Sequence, residues 1–315
     1  MSLQKVEFVE MPGSIVRKCP GTKHHICCGY QTIDLVEGCV LSCSYCILKA
    51  YLRDDVIRIS CNPESILAEL DGMIDSGSEH VLRFGTGELS DSLAIDRRYN
   101  VNRFLVDYFG EKKKAILELK SKWADFSHLA AHLNPYTVIS FSVSPQRFID
   151  AEERRTSPVH KRLKAARLAQ DRGCFVGLHF DPVVIYDGFE RDYRYLIADV
   201  GRILDPARIL WISLGTLRFP PALYGLLLER KRKYLLTGEF IRGEDGKYRY
   251  IKTERIRIYR MLYRLLKNID SNLFIYLCME RADVWKEALG IDMKDSEGLI
   301  GLFDERIKNV YGGML

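Results

Sequence analysis

The sequence predicts an α/β protein built on a parallel sheet, either open or curled into a barrel. Three observations carry that expectation. Short apolar runs rich in β-branched and aromatic residues recur along the chain. Amphipathic stretches of helical period lie between the earlier ones, and no internal repeat or low-complexity segment breaks the pattern. In such folds the chemistry sits where strands end and loops begin, so the polar residues at those points matter most.

Taken in order, the candidate strands are QTIDLV (31–36), HVLRF (80–84), AILEL (115–119), TVISFSV (137–143), FVGLHF (175–180), ILWISL (209–214) and LFIYLCM (273–279). The spacing predicts helices over PESILAELDGMI (63–74), DFSHLAAHL (125–133) and PVHKRLKAARLAQDRG (158–173), the last stopped by Gly173. After residue 215 the character changes to a hairpin, EFIR-GEDG-KYRY, turning at Asp245-Gly246, then a basic helix over 253–267. This region reads as an appendage rather than another strand–helix unit. The expected division is an N-terminal segment (1–30) plugging the barrel bottom or covering its side, a core (31–215), and an extension (216–315). The extension holds a β-hairpin (238–252), the basic helix and a final strand and helix.

With 315 residues, 47% of them hydrophobic, the chain has material for one large core or two ordinary ones. No run approaches the ~20 apolar residues of a membrane span, and the first residues lack the apolar centre of a signal peptide. A cytoplasmic protein without a membrane partner is the expectation. There, nine cysteines are more readily metal ligands or core residues than disulfides. A net charge of +5 permits a nucleic-acid partner without arguing for one.

The chemistry concentrates in VEGCVLSCSYCILKAYL (36–52), just after the first candidate strand, with the spacing Cys39-x3-Cys43-x2-Cys46. Three thiolates can hold three irons of a 4Fe–4S cube and leave the fourth open to a small molecule. The other readings are a zinc site completed by a distant residue, or three core cysteines. Zinc prefers C-x2-C pairs, and core cysteines have no reason to cluster in one loop.

CxxxCxxC with an aromatic residue before the last cysteine resembles the signature of the radical S-adenosylmethionine (SAM) enzymes. The resemblance implies a partial (β/α)6 TIM-type barrel with a C-terminal hairpin and helix extension. It also implies a 4Fe–4S cluster whose open iron binds SAM, and reductive cleavage to a 5′-deoxyadenosyl radical that abstracts hydrogen from a substrate. RFGTGELSDSLAID (83–96), SKWADFSHL (121–129), SFSVSPQRFIDAEERRTSP (140–158) and GLHFDPVVIYDGFERDYR (177–194) further resemble the spore photoproduct lyase family, a DNA-repair lyase group, over roughly residues 30–215. By position, Cys39, Cys43 and Cys46 match cluster ligands. Gly85, Gly87 and Glu88 match a motif at the SAM amino group, with Ser90 and Asp91 close by. Lys122 matches a SAM carboxylate contact, Ser142 a ribose or carboxylate contact, and Tyr45 packs near cluster and adenosine. Glu88 and Asp91 also read as helix N-caps, Lys122 as a solvated lysine, and Ser142 as a partner of neighbouring backbone. An electron donor such as flavodoxin or ferredoxin is implied.

Two positions depart from the family. Its hydrogen-donating cysteine aligns with Glu88, and the tyrosine after its third cluster cysteine aligns with Ile47. Cys174 and Cys61 are the candidate substitutes, although both read as core positions. KCPGTKHHICCGY (18–30) offers Cys19, His24, His25, Cys27 and Cys28 as an auxiliary metal site or as ordinary packing, since adjacent cysteines chelate poorly. Basic residues gather in 154–167, 229–233 and 247–260. The last interleaves Arg249, Lys252, Arg255 and Arg257 with Tyr248, Tyr250 and Tyr259, as a DNA or RNA contact would, or as a solvated helix face would. The expected substrate is a nucleic-acid base or lesion. The alternatives are a peptide or small metabolite, or a noncatalytic iron–sulfur or zinc nucleic-acid module.

Overall fold

A computed structural model describes residues 4–22, 24–229 and 234–312. Its centre is an eight-stranded sheet. Seven strands are parallel in chain order: β1 (Gln31–Ile33), β2 (Arg83–Gly85), β3 (Ile116–Ser121), β4 (Thr137–Ser142), β5 (Phe175–Val183), β6 (Ile209–Thr216) and β7 (Ile275–Leu277). Val16–Lys18 adds an antiparallel edge to β1. The sheet curls into the expected partial barrel. β6 is buried at all eight positions, which explains its near-continuous apolar sequence.

Helices cover the outside. Phe189–Ile203 buries Phe189, Tyr193, Leu196, Ile197 and Val200, one stripe of helical period. The predicted helix over 125–133 does not form; only a single turn, Ser127–Leu129, is present. Asp125 Oδ1 accepts from the Ser127 amide at 3.0 Å, and Asn134 Oδ1 from the Tyr136 amide at 3.0 Å. These short-range bonds replace helical ones.

The region after 215 joins the sheet as well as extending it. Phe240–Arg242 and Tyr248–Tyr250 pair as the predicted hairpin, Arg218–Phe219 adds a third strand, and Lys252–Lys267 is the basic helix. β7 then returns to pair with β6 in parallel. The N-terminal segment packs against the sheet and beside it. Val6–Val9 pairs with Ile57–Ser60 beside the barrel, and the Ile26 amide reaches the Glu280 carbonyl at 2.9 Å, just past β7. The segment therefore spans the opening between the sheet's two edges, where unpaired strand edges need covering.

Candidate active site

All but Gly85 of the residues matched to cluster and cofactor contacts meet in one cavity of about 310 Å³ at the C-terminal ends of the strands. Cys39, Cys43 and Cys46 line one wall. Their loop is fixed from two sides. Cys43 pairs with Glu153 in a short antiparallel bridge, the Ser44 amide donates to the Glu152 carbonyl at 2.8 Å, and the Gly38 amide donates to the Leu89 carbonyl at 3.0 Å. Gly38 has φ +96°, and a Cβ there would lie 2.8 Å from the Val56 carbonyl, so the turn into the loop requires glycine.

Beneath the loop lies a fully buried ion pair. Arg162 Nη2 meets Glu153 Oε2 at 2.6 Å, both side chains being 0% exposed. Arg162 also donates to the carbonyls of Ser157 (2.8 Å) and Ser142 (2.9 Å) and to Thr156 Oγ1 (2.8 Å). The Tyr45 hydroxyl donates to the other Glu153 oxygen. Burial alone would raise the Glu153 carboxyl, but Arg162, Lys122 and this hydroxyl hold it below its usual range. Tyr45 lines the cavity with its ring, while its hydroxyl is committed to the scaffold.

Further lining comes from alternate residues of parallel strands: Glu118, Lys120 and Lys122, then His179 and Asp181, then Tyr276 and Cys278. Lys122 Nζ sits 5.6 Å from the centre of the Tyr45 ring, and Cys43 and Cys46 both favour its charge. Gly87, Glu88, Ser90 and Ser142 also line the cavity. The Glu88 carboxylate has no hydrogen-bonded partner among the described residues, leaving it able to accept from a ligand.

Two expected ligand contacts have other work. Gly85 does not line the cavity. The space of its missing Cβ is taken by the Tyr30 hydroxyl, with the Glu118 carbonyl 2.8 Å away. Gly85→Ala is therefore expected to lower stability by about 1–3 kcal/mol through overpacking, checked by urea unfolding. Asp91 reaches the cavity but accepts from Ser121 Oγ (2.6 Å) and from the amides of Leu93 (3.1 Å), Ala94 (3.0 Å) and Lys122 (2.7 Å). It positions Lys122 and its own loop, as a cap would.

Sequence reading missed Glu118, buried and accepting on Oε1 from Ser140 Oγ (2.5 Å), His179 Nε2 (2.8 Å) and Trp211 Nε1 (2.9 Å). Burial opposes its charge, yet His179, Lys120 and Ser140 hold its pKa at about 2. A depressed carboxyl stabilises the fold above its unfolded pKa and loses that contribution as pH falls through the folded value. The expected result is a loss on the order of 3 kcal/mol between about pH 5 and pH 2, absent in Glu118→Gln, checked by denaturant unfolding against pH.

Other expectations change. The basic run 229–233 lies, beyond its first residue, outside the described residues. In 247–260 the cations are committed internally. Arg249 binds Asp245 and His25, Arg255 binds Glu280 at 2.9 Å, Arg257 binds Glu254 and Glu190, and Lys252 binds Asp283 and Glu287. Tyr250 and Tyr259 are buried. The interleaved motif thus anchors the hairpin and helix, and only Lys247 reaches the cavity. Arg194, Arg260 and Arg264 line a separate groove of about 620 Å³ on the helical surface. Among the described residues no three His, Cys, Asp or Glu side chains converge on a single ion, in 18–30 or elsewhere. Iron–sulfur clusters are held by thiolates on separate irons, which does not require such convergence. Burial pushes the Cys43 thiol up to about 12 and raises Cys39 too, so metal charge is what would make these thiolates favourable.

Among the described residues no helix is long and apolar enough to cross a membrane. Comparison with known proteins points one way. The spore photoproduct lyase of Clostridium acetobutylicum is 28% identical over 170 residues, 53% of this chain and 50% of that protein. That of Geobacillus sp. is 30% identical over 175 residues, 55% of this chain and 51% of that protein. The aligned part thus spans about half the length of these curated relatives. A solved spore photoproduct lyase mutant with bound AdoMet and dinucleoside spore photoproduct superposes with a TM-score of 0.72 at 25% identity, covering 78% of this chain and 76% of that one. The family model described as spore photoproduct lyase matches residues 23–268, and the chain belongs to that family.

Proposed function

We propose that this protein is a radical SAM lyase acting on a nucleic-acid lesion of the spore-photoproduct class. The observation that carries the reading is the convergence of Cys39, Cys43 and Cys46 with Glu88, Lys122 and Ser142 in one cavity, in a family whose solved members hold AdoMet and dinucleoside spore photoproduct. The donor set fits a 4Fe–4S cluster with one iron left without a protein ligand. When bound, the cluster and SAM supply a one-electron cleavage that yields a primary carbon radical, with a flavodoxin or ferredoxin as electron source.

The protein's own residues bind, orient and shield. Glu88 accepts from the SAM ammonium, and Gly87 lets the backbone approach closely. Lys122, held by Asp91 through its backbone, meets the carboxylate, and Ser142 offers a hydroxyl from the end of β4. Tyr45, Ile47 and Leu48 provide the apolar side of the cavity. Lys247 and the polar wall of Lys120, His179 and the Asp181–Arg218 pair face the substrate half. Arg194 and Arg264, in the groove on the helical surface, offer guanidinium groups for phosphate contact, whereas the cations of 247–260 are committed internally.

The test supplies dinucleoside spore photoproduct, undamaged thymine dinucleotide and irradiated DNA to the anaerobically reconstituted protein with SAM and a strong reductant. The proposal expects conversion of the lesion to thymines and no reaction with the undamaged dinucleotide. SAM cleavage that leaves the lesion unchanged would assign the chemistry to another substrate.

A further inference from the structure

Glu88 occupies the position where a family thiol would stand, so the substrate radical needs another hydrogen source. The two candidates favoured by sequence do not reach the cavity. Cys61 is exposed away from it. Cys174 lies just before β5 and donates to the Asn134 carbonyl at 3.4 Å. Asp181 marks the cavity end of that strand, and at the usual rise per residue Cys174 lies about 23 Å below it. Two other thiols do line the cavity, Cys19 and Cys278.

Cys278 is the better built. Its amide donates to the Leu214 carbonyl at 2.8 Å, which holds it in register with β6 just past the end of β7. Tyr276, two residues earlier, faces the same space. Arg218 Nη2 lies 3.5 Å from the Cys278 sulfur and is itself held by Asp181 at 3.0 and 3.1 Å. The guanidinium therefore donates to a sulfur lone pair, and the S–H bond must point elsewhere. Cys19 sits in the irregular segment between the sheet edges, its thiol raised by burial and by the Glu88 charge. We propose that Cys278 is the hydrogen-atom donor that completes the reaction, with Arg218 as its positioning residue.

The inference rests on the radical SAM reading above. In the step, the Cys278 S–H bond breaks homolytically, a C–H bond forms at the substrate radical, and a thiyl remains on sulfur. One electron from the low-potential iron–sulfur or flavin donor and one solvent proton restore the thiol. Burial keeps the thiol protonated, its pKa standing well above the ordinary value, so the hydrogen to be transferred is present.

The test has two arms. In the first, the protein as purified is treated with methylmercury, a small reagent that displaces the thiol proton and needs no preformed thiolate, and mapped by mass spectrometry. Modification of Cys19 and Cys278 with Cys174 spared is expected; an unmodified Cys278 beside a modified Cys19 overturns the proposal. In the second, reconstituted wild type, Cys278→Ser, Cys278→Ala and Cys19→Ala react with SAM and reductant in D2O, with and without dinucleoside spore photoproduct. Thiol hydrogens exchange with solvent, whereas carbon-bound ones do not. Wild type and Cys19→Ala are expected to place one deuterium in 5′-deoxyadenosine or repaired thymine, and both Cys278 variants to lose at least about 90% of that label while still cleaving SAM. Label that survives in the Cys278 variants, or falls only in Cys19→Ala, overturns the assignment. Absence of SAM cleavage in wild type instead sinks the radical SAM reading, so the two failures are separable.

Discussion

Cys43→Ala is expected to lose cluster loading and SAM cleavage together, each by more than about a hundredfold. The magnitude follows from the ligand count. Changes to groups merely supporting a metal ligand already cost about 10–100-fold in affinity or activity. Here a ligand is removed from a set of three with no protein donor in reserve. Cys43 is also the residue of the loop paired in register with Glu153, so its thiol is the one most rigidly placed. The measurement is iron and sulfide content and visible absorption after anaerobic reconstitution, followed by assay of 5′-deoxyadenosine. Retention of a full cluster by Cys43→Ala would show that another residue completes the set.

Arg162→Ala is expected to destabilise the protein by about 3–5 kcal/mol, the largest stability effect predicted for a single side chain in the site. The cost comes from what is left behind. Glu153 keeps its charge in a fully buried position, and the carbonyls of Ser142 and Ser157 lose their donors. Since Glu153 also anchors Tyr45 and the Cys43 backbone, the loop loosens as stability falls. Arg162→Met with Glu153→Gln should recover part of the loss, because an uncharged pair no longer strands a buried carboxylate. Urea unfolding of the two single variants and the double variant measures the coupling. A loss below about 1 kcal/mol for Arg162→Ala would mean that water replaces the guanidinium.

The parallel strands and the cysteine loop were legible because their signals are local: apolar runs of strand length, and three thiols within eight positions. All seven candidate strands have a counterpart in the sheet. The helix expected over 125–133 was misread because its apolar spacing fits a helix, while Asp125 and Asn134 bind nearby backbone instead. The basic stretch 247–260 looked like a nucleic-acid surface because its acidic partners, Glu280, Asp283, Glu287 and Glu190, lie far off in sequence. Half of the site was visible by motif. The other half had a signal that went unread: polar residues at alternate positions of otherwise apolar strands, as in Glu118, Lys120 and Lys122, or His179 and Asp181. In a barrel strand that period points such residues inward, where only a ligand or a buried network justifies them.

The central claim is that this cavity cleaves SAM. It is tested most directly by incubating the anaerobically reconstituted protein with SAM and a strong reductant, and quantifying methionine and 5′-deoxyadenosine beside a Cys39→Ala, Cys43→Ala, Cys46→Ala triple variant. The account predicts equal amounts of both products from the wild-type chain and none above background from the variant. A wild-type chain that carries a full cluster and leaves SAM intact would contradict it.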